Sequence, residues 1–390
     1  MGGLKVVICA LLLTSCATAN DFEKIVLGHQ NFGRELFKQF STSQGNVVVS
    51  PLSAYLALAL TRLGAKGATE GELSQGLGLE SSNQHDAGFS SLFKSLETKK
   101  DLSKVVVANK IFLNEQFSLS PTYNEGAKRI FHTTADKLNF KNTESIDIIN
   151  NWVRNVTRHR IHGITDNLNG DAEVLILNML YFRGPWRYQF YGPSQPRPFY
   201  VDQGNAVDAQ FMSKEDYYKY ADLKDLNTEL IELPYKDPDY SFVILLPKEK
   251  NGLRQLENSM QSINIEELLK KAVDEEITLN LPKFQFQLAT SLNKPLQNMN
   301  IKSIFSDNAD LSGLTGTAGQ RLRVSEVFQK THFGINENGT EAAASTSIQI
   351  VAISAKLNEH IITCDRPFLF YLMHKRSITL FQGRVVDPRS

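Results

Sequence analysis

Cysteine is scarce in this sequence, and its distribution excludes a fold held together by disulfides. Only three cysteines occur in 390 residues, and two of them, Cys9 and Cys16, lie in a predicted N-terminal signal peptide. Cys364 would then be the single cysteine left, so no disulfide can form within the chain. The apolar residues around Cys364 predict a buried small side chain rather than a nucleophile. A domain without disulfides depends on a large hydrophobic core, which a chain of this length can build.

Long hydrophobic runs are also missing, which argues against a membrane span. The apolar stretch Val6–Leu13 is too short to cross a bilayer, which takes about 20 residues. Lys5 precedes this stretch, and Ala17-Thr18-Ala19 follows it as a small-residue cleavage site, so residues 1–19 are predicted to be a signal peptide. We therefore expect the mature chain, residues 20–390, to be secreted to the extracellular space and to lie outside membranes.

Neither sign of charge dominates, which removes the usual electrostatic reason to bind nucleic acid or acidic membranes. The chain has 42 basic and 42 acidic residues, and loss of Lys5 with the signal leaves 41 against 42. Two basic clusters are predicted to be solvated helix surfaces, with weak glycosaminoglycan binding as the alternative. The clusters are Arg158, His159, Arg160 and His162, and Lys94, Lys99, Lys100 and Lys104.

Familiar catalytic and cofactor motifs are absent. The sequence has no G-x-S-x-G elbow, no H-E-x-x-H, no phosphate-binding loop and no C-x-x-C. A Ser/His/Asp triad stays compatible with the eight histidines, but no spacing nominates one. We therefore expect neither an enzyme nor a bound cofactor or metal.

The patterns that are present favour an α+β fold. Helical spacing extends from Phe22 to Phe40, and Ser50-Pro51 predicts the start of a second helix. The apolar run Val174–Phe182 predicts a central strand buried on both faces. Strands are also predicted at Ile277–Phe286 and Arg321–Ile335. Helices dominate the first half and strands the second, without a linker, so we expect one domain with helices packed on large, mostly antiparallel sheets.

A stretch near the C-terminus, Glu337–Lys356, is unusual because its first half consists mainly of small residues and it contains neither proline nor an aromatic residue. If it forms a strand, alternate side chains share one face. One face would then be small and uncharged, and the other would include a carboxylate. The small, uncharged face carries Thr340, Ala342, Ala344 and Thr346. The other face carries Glu341, Ala343 and Ser345. By itself, the pattern is that of an ordinary amphipathic strand.

Six motifs occur along the chain: Asn46–Ser53, Asn178–Trp186, Leu281–Phe284, Asp310–Gly313, Glu337–Thr346, and Asp365–Phe370 followed by Phe381–Val386. In their order and spacing they resemble the motifs of the serpin family of serine protease inhibitors. The resemblance extends from the first predicted helix to Pro388. It implies the serpin fold, with a hinge and an exposed reactive-centre loop at about residues 337–357.

The resemblance implies that the loop is offered to a protease as a suicide substrate. After cleavage, the limb Gly339–Thr346 would enter the main sheet as a new strand while the protease remains bound as an acyl-enzyme. Counting from Gly339, the family's spacing places the reactive bond at Ile353-Ser354, with cleavage at Val351 or Ala352 as an alternative. A β-branched aliphatic residue favours elastase-like proteases, then chymotrypsin-like and finally trypsin-like ones.

The family pattern also implies a hydrogen-bond network where the main sheet opens. In this sequence its members are Ser50, Ser53, Asn178, Trp186 and Gln329. Many family members carry histidine at the position of Gln329, so this chain departs from the pattern there. Glutamine both donates and accepts, so we expect the network to persist without the pH sensitivity of histidine.

Two N-glycosylation sequons occur, at Asn155 and Asn338. Asn338 lies within the predicted hinge, where a glycan would hinder insertion, so we expect it to be modified partly or not at all. We expect the chain to be a monomer. Its expected partner is a target serine protease. The main alternative is a non-inhibitory carrier or binding protein with the same fold, and an enzyme is a distant third.

Overall fold

The chain folds into ten α-helices, two short 3-10 helices and fifteen strands within the part that the structure describes. A computed structural model describes residues 2–80, 85–97, 102–157, 159, 163, 167–317, 322–340 and 360–389. The helices are α1 (Gly2–Lys38), α2 (Pro51–Arg62), α3 (Gly67–Leu77), α4 (Asp86–Leu96), α5 (Pro121–Phe131), α6 (Glu144–Val156), α7 (Leu253–Met260), α8 (Ile265–Leu269), α9 (Asn293–Asn298) and α10 (Ser312–Thr315). The strands are β1 (Val47–Val49), β2 (Lys104–Asn114), β3 (Ala135–Leu138), β4 (Val174–Pro185), β5 (Gln195–Tyr200), β6 (Ala206–Leu223), β7 (Thr228–Pro234), β8 (Tyr240–Pro247), β9 (Val273–Pro282), β10 (Phe284–Ser291), β11 (Val324–Asn336), β12 (Gly339–Thr340), β13 (Ile361–Thr363), β14 (Phe368–His374) and β15 (Ile378–Val385).

The strands form two sheets. A nine-stranded sheet has the order β1-β15-β14-β8-β7-β6-β9-β13, with β5 paired to β6. A six-stranded sheet has the order β10-β11-β12-β4-β2-β3. Most neighbouring pairs are antiparallel, and the parallel pairs are β11 with β4, β2 with β3, and β13 with β9. The predicted α+β class with large, mostly antiparallel sheets is confirmed.

The six-stranded sheet lies between two helices, which explains the continuous apolar run of β4. Ile176 and Leu180 of β4 join the large core that contains α2, whereas Leu175 and Leu177 join a cluster with Ile149 of α6. The strand is thus buried on both faces, as predicted. Ser50 begins α2, because its hydroxyl accepts a hydrogen bond from the backbone N–H of Ser53 at 3.2 Å.

Helix α2 fills the space between the two sheets. Its residues from Pro51 to Thr61 are all buried, and it contacts β2 and β4 of one sheet and β15 of the other. Stacked phenylalanines continue this core, with Phe333 of the six-stranded sheet 5.0 Å from Phe370 of the nine-stranded sheet. Cys364 is also buried in this core, as its apolar neighbours predicted. Burial raises the pKa of its thiol, which keeps it in the unreactive protonated form.

Three predicted elements differ from the structure. The first helix, predicted from Phe22, extends from Gly2, and no helix in the described ranges is both long and apolar enough to span a membrane. The single strand predicted at Ile277–Phe286 is wrong, because β9 ends at Pro282 and β10 begins at Phe284 in the other sheet. Pro282 has no N–H to continue its ladder. The strand predicted at Arg321–Ile335 begins later, at Val324, and ends at Asn336, where the chain reverses into β12.

Candidate functional site

The candidate site is the reversal of the chain at one end of the six-stranded sheet. Strand β11 ends at Asn336, and β12 returns antiparallel to it, with Thr340 opposite Ile335. Thr340 also lies opposite Gly184 of β4, so β12 occupies the space between β11 and β4. Farther along the sheet β11 pairs directly with β4, and this parallel pairing ends at Thr331. The two strands are thus paired directly up to Thr331, and β12 lies between them at the end of β11, at Ile335 and Asn336. We call residues 337–340 the hinge.

The segment that follows β4 donates hydrogen bonds to the backbone carbonyls of the hinge and of the residue before it. The indole Nε1 of Trp186 donates to the carbonyl of Asn336, and its backbone N–H donates to that of Asn338, both at 2.9 Å. The backbone N–H of Phe190 donates to the carbonyl of Glu337 at 3.0 Å. These bonds do not depend on the hinge side chains, so they fix the path of the chain whatever its sequence.

Glu337 adds a charged anchor. Its carboxylate accepts a hydrogen bond from the hydroxyl of Ser194 and pairs with the ammonium of Lys283 at 3.0 Å. Burial alone would raise the pKa of Glu337, but the hydrogen bonds from Ser194 and Lys283 outweigh it and hold that pKa below its usual range. Glu337 therefore stays ionised in the folded state at neutral pH and ties the hinge to Lys283, which lies between β9 and β10.

Thr340 is the last described residue of the hinge, and its side chain is buried, with 1% of its surface exposed. Its hydroxyl shares a hydrogen bond with the phenolic hydroxyl of Tyr235. Tyr235 follows β7 of the nine-stranded sheet and is also buried. Burial raises the pKa of Tyr235, so its hydroxyl stays protonated. Either of the two hydroxyls can be the donor in this bond.

Gly339 is required by the backbone at this point. Its φ is +143°, a conformation that residues with a side chain rarely adopt. A Cβ atom built on Gly339 would lie 2.0 Å from the carbonyl oxygen of Gly184. Only glycine allows β12 to approach β4 this closely.

A row of buried polar side chains crosses the six-stranded sheet beside α2. Asn109 of β2 lies opposite Asn178 of β4, which lies opposite Gln329 of β11. The Gln329 amide donates to the Asn178 side chain at 2.7 Å and to the Ser50 carbonyl at 2.9 Å. Its carbonyl oxygen accepts from the Ser50 backbone N–H at 2.9 Å. The glutamine thus joins β11 to β4 and to the start of α2.

The structure brings together most of the expected network but divides it into two groups. Ser50, Asn178 and Gln329 are in contact, whereas the hydroxyl of Ser53 donates to Asn109 at 3.2 Å rather than to Gln329. Trp186 is separate from this row and contacts the hinge. Among the described residues, no three His, Cys, Asp or Glu side chains lie close enough to bind a metal ion.

Several predicted site residues lie outside the described residues. They are Glu341, Ala342, Ala343, Ala344, Ser345, Thr346, Ile353 and Ser354, together with Arg158, Arg160, His162, Lys99 and Lys100. The sequon residue Asn155 is exposed on α6, and Asn338 is half-buried in the hinge. Of the remaining basic residues, Lys94 lies on α4 and Lys104 begins β2.

Sequence reasoning missed Asn109, Ser194, Tyr235 and Lys283, all of which contact the site. Asn109 carried a signal, because it interrupts the apolar residues of β2 and a buried asparagine needs hydrogen-bond partners. Lys283 lies in the motif Leu281–Phe284, which gave it no role at the hinge, and Tyr235 and Ser194 carried no signal. All three lie 54 to 143 residues from their partners along the chain, and only the fold brings them to the hinge.

Comparisons with known proteins agree with this geometry. The family model described as Serpin (serine protease inhibitor) matches residues 28–388. Iripin-2 of Ixodes ricinus is 32% identical over 387 residues, which cover 97% of this chain and 97% of that protein. Serine protease inhibitor 42Dd of Drosophila melanogaster is 32% identical over 364 residues, covering 91% and 95%, respectively.

Solved structures show the same fold. Serpin48, described as a highly specific serpin in the insect Tenebrio molitor, superposes with a TM-score of 0.85 at 27% identity. The match covers 94% of this chain and 98% of that one. The two sheets described above therefore belong to a fold that this chain shares with Serpin48.

Proposed function

Because this chain belongs to the serpin family, we propose that it is a secreted serine protease inhibitor that acts as a suicide substrate. The protease cleaves the loop that follows the hinge, and its serine forms an acyl-enzyme with the new carboxyl end. The freed limb then enters the six-stranded sheet between β11 and β4 and carries the bound protease with it. The protein itself catalyses nothing.

The observation that carries this proposal is the burial of Thr340 between two strands that are paired directly below it. A strand entering here would separate β11 from β4, and Thr340 already occupies the first inward position. By alternation, Ala342, Ala344 and Thr346 would take the following inward positions. All three are small and uncharged, so they would neither overpack the sheet nor bury a charge.

For the reactive bond we propose Ile353-Ser354, with Val351 or Ala352 as the alternative residue before the cut. An aliphatic side chain fits a small apolar pocket, so the preferred targets are elastase-like proteases, followed by chymotrypsin-like ones. A carboxylate-floored pocket selects Arg or Lys, and Lys356 lies beyond the expected bond. Weak glycosaminoglycan binding and a monomeric state complete the proposal.

The test is incubation with purified elastase, chymotrypsin and trypsin, followed by denaturing electrophoresis and mass spectrometry. We expect an SDS-stable complex with elastase and a released C-terminal peptide that begins at Ser354. The substitution Ile353→Arg should transfer complex formation from elastase to trypsin, because it changes only the residue that fills the primary pocket. A chain that is not cut, or is cut without forming a complex, would favour the non-inhibitory carrier.

We further propose secretion with removal of residues 1–19 and glycosylation at Asn155. The exposed position of Asn155 on α6 supports this modification. Asn338 is a poorer acceptor once the chain has folded, since Thr340 of its sequon is buried. Secreted protein from an animal-cell host should begin at Asn20, and glycopeptide masses should show occupancy at Asn155 and little or none at Asn338.

A further inference from the structure

The contact between Thr340 and Tyr235 joins the two sheets at the point where an inserting strand would start. Thr340 belongs to the six-stranded sheet, and Tyr235 directly follows β7 of the nine-stranded sheet. Their hydroxyls form a buried hydrogen bond. Thr340 is the final residue of the range 322–340 that the structure describes. Along that range, the bond to Tyr235 is therefore the side-chain contact of the hinge that lies nearest to the start of the loop.

Tyr235 is held rigidly, so the position of its hydroxyl is set by the fold and not by the hinge. Its ring stacks on Trp186 with centroids 4.5 Å apart and meets the edge of Phe182 at 5.0 Å. Its backbone N–H donates to Tyr240 at 3.1 Å, and it forms an isolated bridge with Trp186. The hydroxyl therefore presents a fixed partner that Thr340 can reach only when β12 is seated.

We propose that Tyr235 is a positioning residue that keeps Thr340 seated in the sheet before the loop is cleaved. This inference rests on the proposed inhibitory function and adds a regulatory contact to it. With Thr340 in place, insertion begins at Ala342 and does not first require the hinge to find the sheet. Loss of the hydroxyl would leave the hinge unseated for a larger fraction of the time.

The outcome of each encounter depends on two competing steps. After cleavage, either the limb inserts and traps the acyl-enzyme, or water hydrolyses the acyl-enzyme and releases active protease with cleaved inhibitor. A net hydrogen bond contributes enough to change such a balance by about three- to tenfold. We expect Tyr235→Phe to raise the ratio of cleaved to complexed inhibitor by that factor.

The experiment compares Tyr235→Phe, Thr340→Val and the double variant in the full-length mature protein. Both single changes keep the shape of the side chain and remove one hydroxyl of the same bond, so the double variant should be no worse than either single one. Thr340→Ser retains the hydroxyl and should behave like the wild type. Tyr55→Phe is the matched control, since it removes a buried hydroxyl that bonds to Leu77, away from the hinge.

A second readout needs no protease. Hydrogen exchange is measured on peptides that cover the hinge and on peptides that contain Trp186 and Phe190, whose backbone N–H groups bind the hinge. The exchange rate of these amides reports how often the hinge leaves the sheet. Tyr235→Phe should speed exchange there by about three- to tenfold, and Tyr55→Phe should leave it unchanged. If wild-type protein forms no complex with any protease but the hinge exchanges faster in Tyr235→Phe, the proposed function fails and the seating contact stands. Unchanged exchange in Tyr235→Phe, or additive effects in the double variant, would overturn the inference.

Discussion

Gln329 shows how one side chain can couple a sheet to a helix. Its amide makes three hydrogen bonds, two to the backbone of Ser50 and one to Asn178, and it is fully buried. A neutral histidine at this position would carry one donor and one acceptor, and its charge would change near pH 6.5. Glutamine supplies both donors on one nitrogen and has no charge to gain. The closed sheet therefore has no titrating group at this position.

We predict that Gln329→Ala weakens the closed sheet and increases polymerisation. The change leaves the Ser50 backbone groups and the Asn178 side chain without these partners in a buried position, which should cost about 2–4 kcal/mol of native stability. Thermal unfolding and size-exclusion chromatography after mild heating measure the two effects. Gln285→Ala, in the neighbouring strand β10 with an exposed side chain, is the control. Unchanged melting and inhibition in Gln329→Ala would contradict the prediction.

Two other buried residues do make stability depend on pH. Burial lowers the pKa of His29 and that of His374 to about 4 in each case, from an ordinary value near 6.5. Between these values the unfolded chain binds more protons than the folded one, so stability is fully present above about pH 6.5 and falls as the pH drops toward 4. The loss amounts to roughly 3 kcal/mol per histidine at the acidic limit.

We therefore predict that His374→Phe flattens the acid side of the stability profile. Phenylalanine keeps the ring contact with Tyr240, whose centroid lies 4.8 Å from that of His374, and it has no proton to gain. Urea unfolding at pH 7.5, 6 and 5 measures the effect. The control is His132→Asn, at an exposed position. Asparagine is chosen because φ is positive there and asparagine tolerates that conformation. This variant should leave the stability profile as steep as in the wild type.

At the level of single elements, the shortest strand has the largest consequence. Strand β12 has two residues, yet the proposed orientation of an inserted limb rests on it: with Thr340 buried, alternate residues of an inserted strand would point into the sheet. The sequence assigned Thr340 to the inward face, and its side chain is buried, whereas the alternation beyond Thr340 stays a prediction. The sequence did not predict the reversal at Glu337-Asn338, because the bonds that stabilise the turn come from Trp186, Phe190 and Ser194.

This alternation leads to a paired prediction on adjacent residues. Ala344→Asp places a carboxylate on the inward face and should stall insertion, because burying an unpaired charge costs several kcal/mol. The ratio of cleaved to complexed inhibitor should then rise at least about tenfold. Ala343→Asp places the same charge on the outward face and should inhibit nearly as well as the wild type. Equal effects of the two changes would show that the alternation is wrong.

At the scale of the whole molecule, the six-stranded sheet is closed where an additional strand would fit. Strands β11 and β4 are bonded directly over residues 324–331 of β11, so a full inserted strand must break these pairings and then make two new ladders. In the proposed mechanism the sheet would gain hydrogen bonds and burial from the exchange, but only after cleavage had freed the loop. We infer that the uncleaved protein is held in place by this barrier.

We predict that cleavage of the loop stabilises the protein. Several kcal/mol released by insertion would raise the midpoint of thermal unfolding by about 5 °C or more in a chain of this size. Calorimetry before and after cleavage at the reactive bond measures the change. Cleaved Ala344→Asp is the control, since its limb has been cut but should not insert. A wild-type protein whose midpoint does not rise after cleavage would contradict the proposed mechanism.

The sequence by itself determined the class of fold, the family and the chemistry of the limb. The apolar run of β4, the Ser-Pro start of α2 and the small residues after Gly339 are local patterns, and local geometry is enough to interpret them. Only the tertiary structure decided which residues hold the hinge. Tyr235 reaches Thr340, and Lys283 and Ser194 reach Glu337, through contacts between segments far apart in the chain. No local pattern encodes such contacts, because they depend on how two sheets pack around α2.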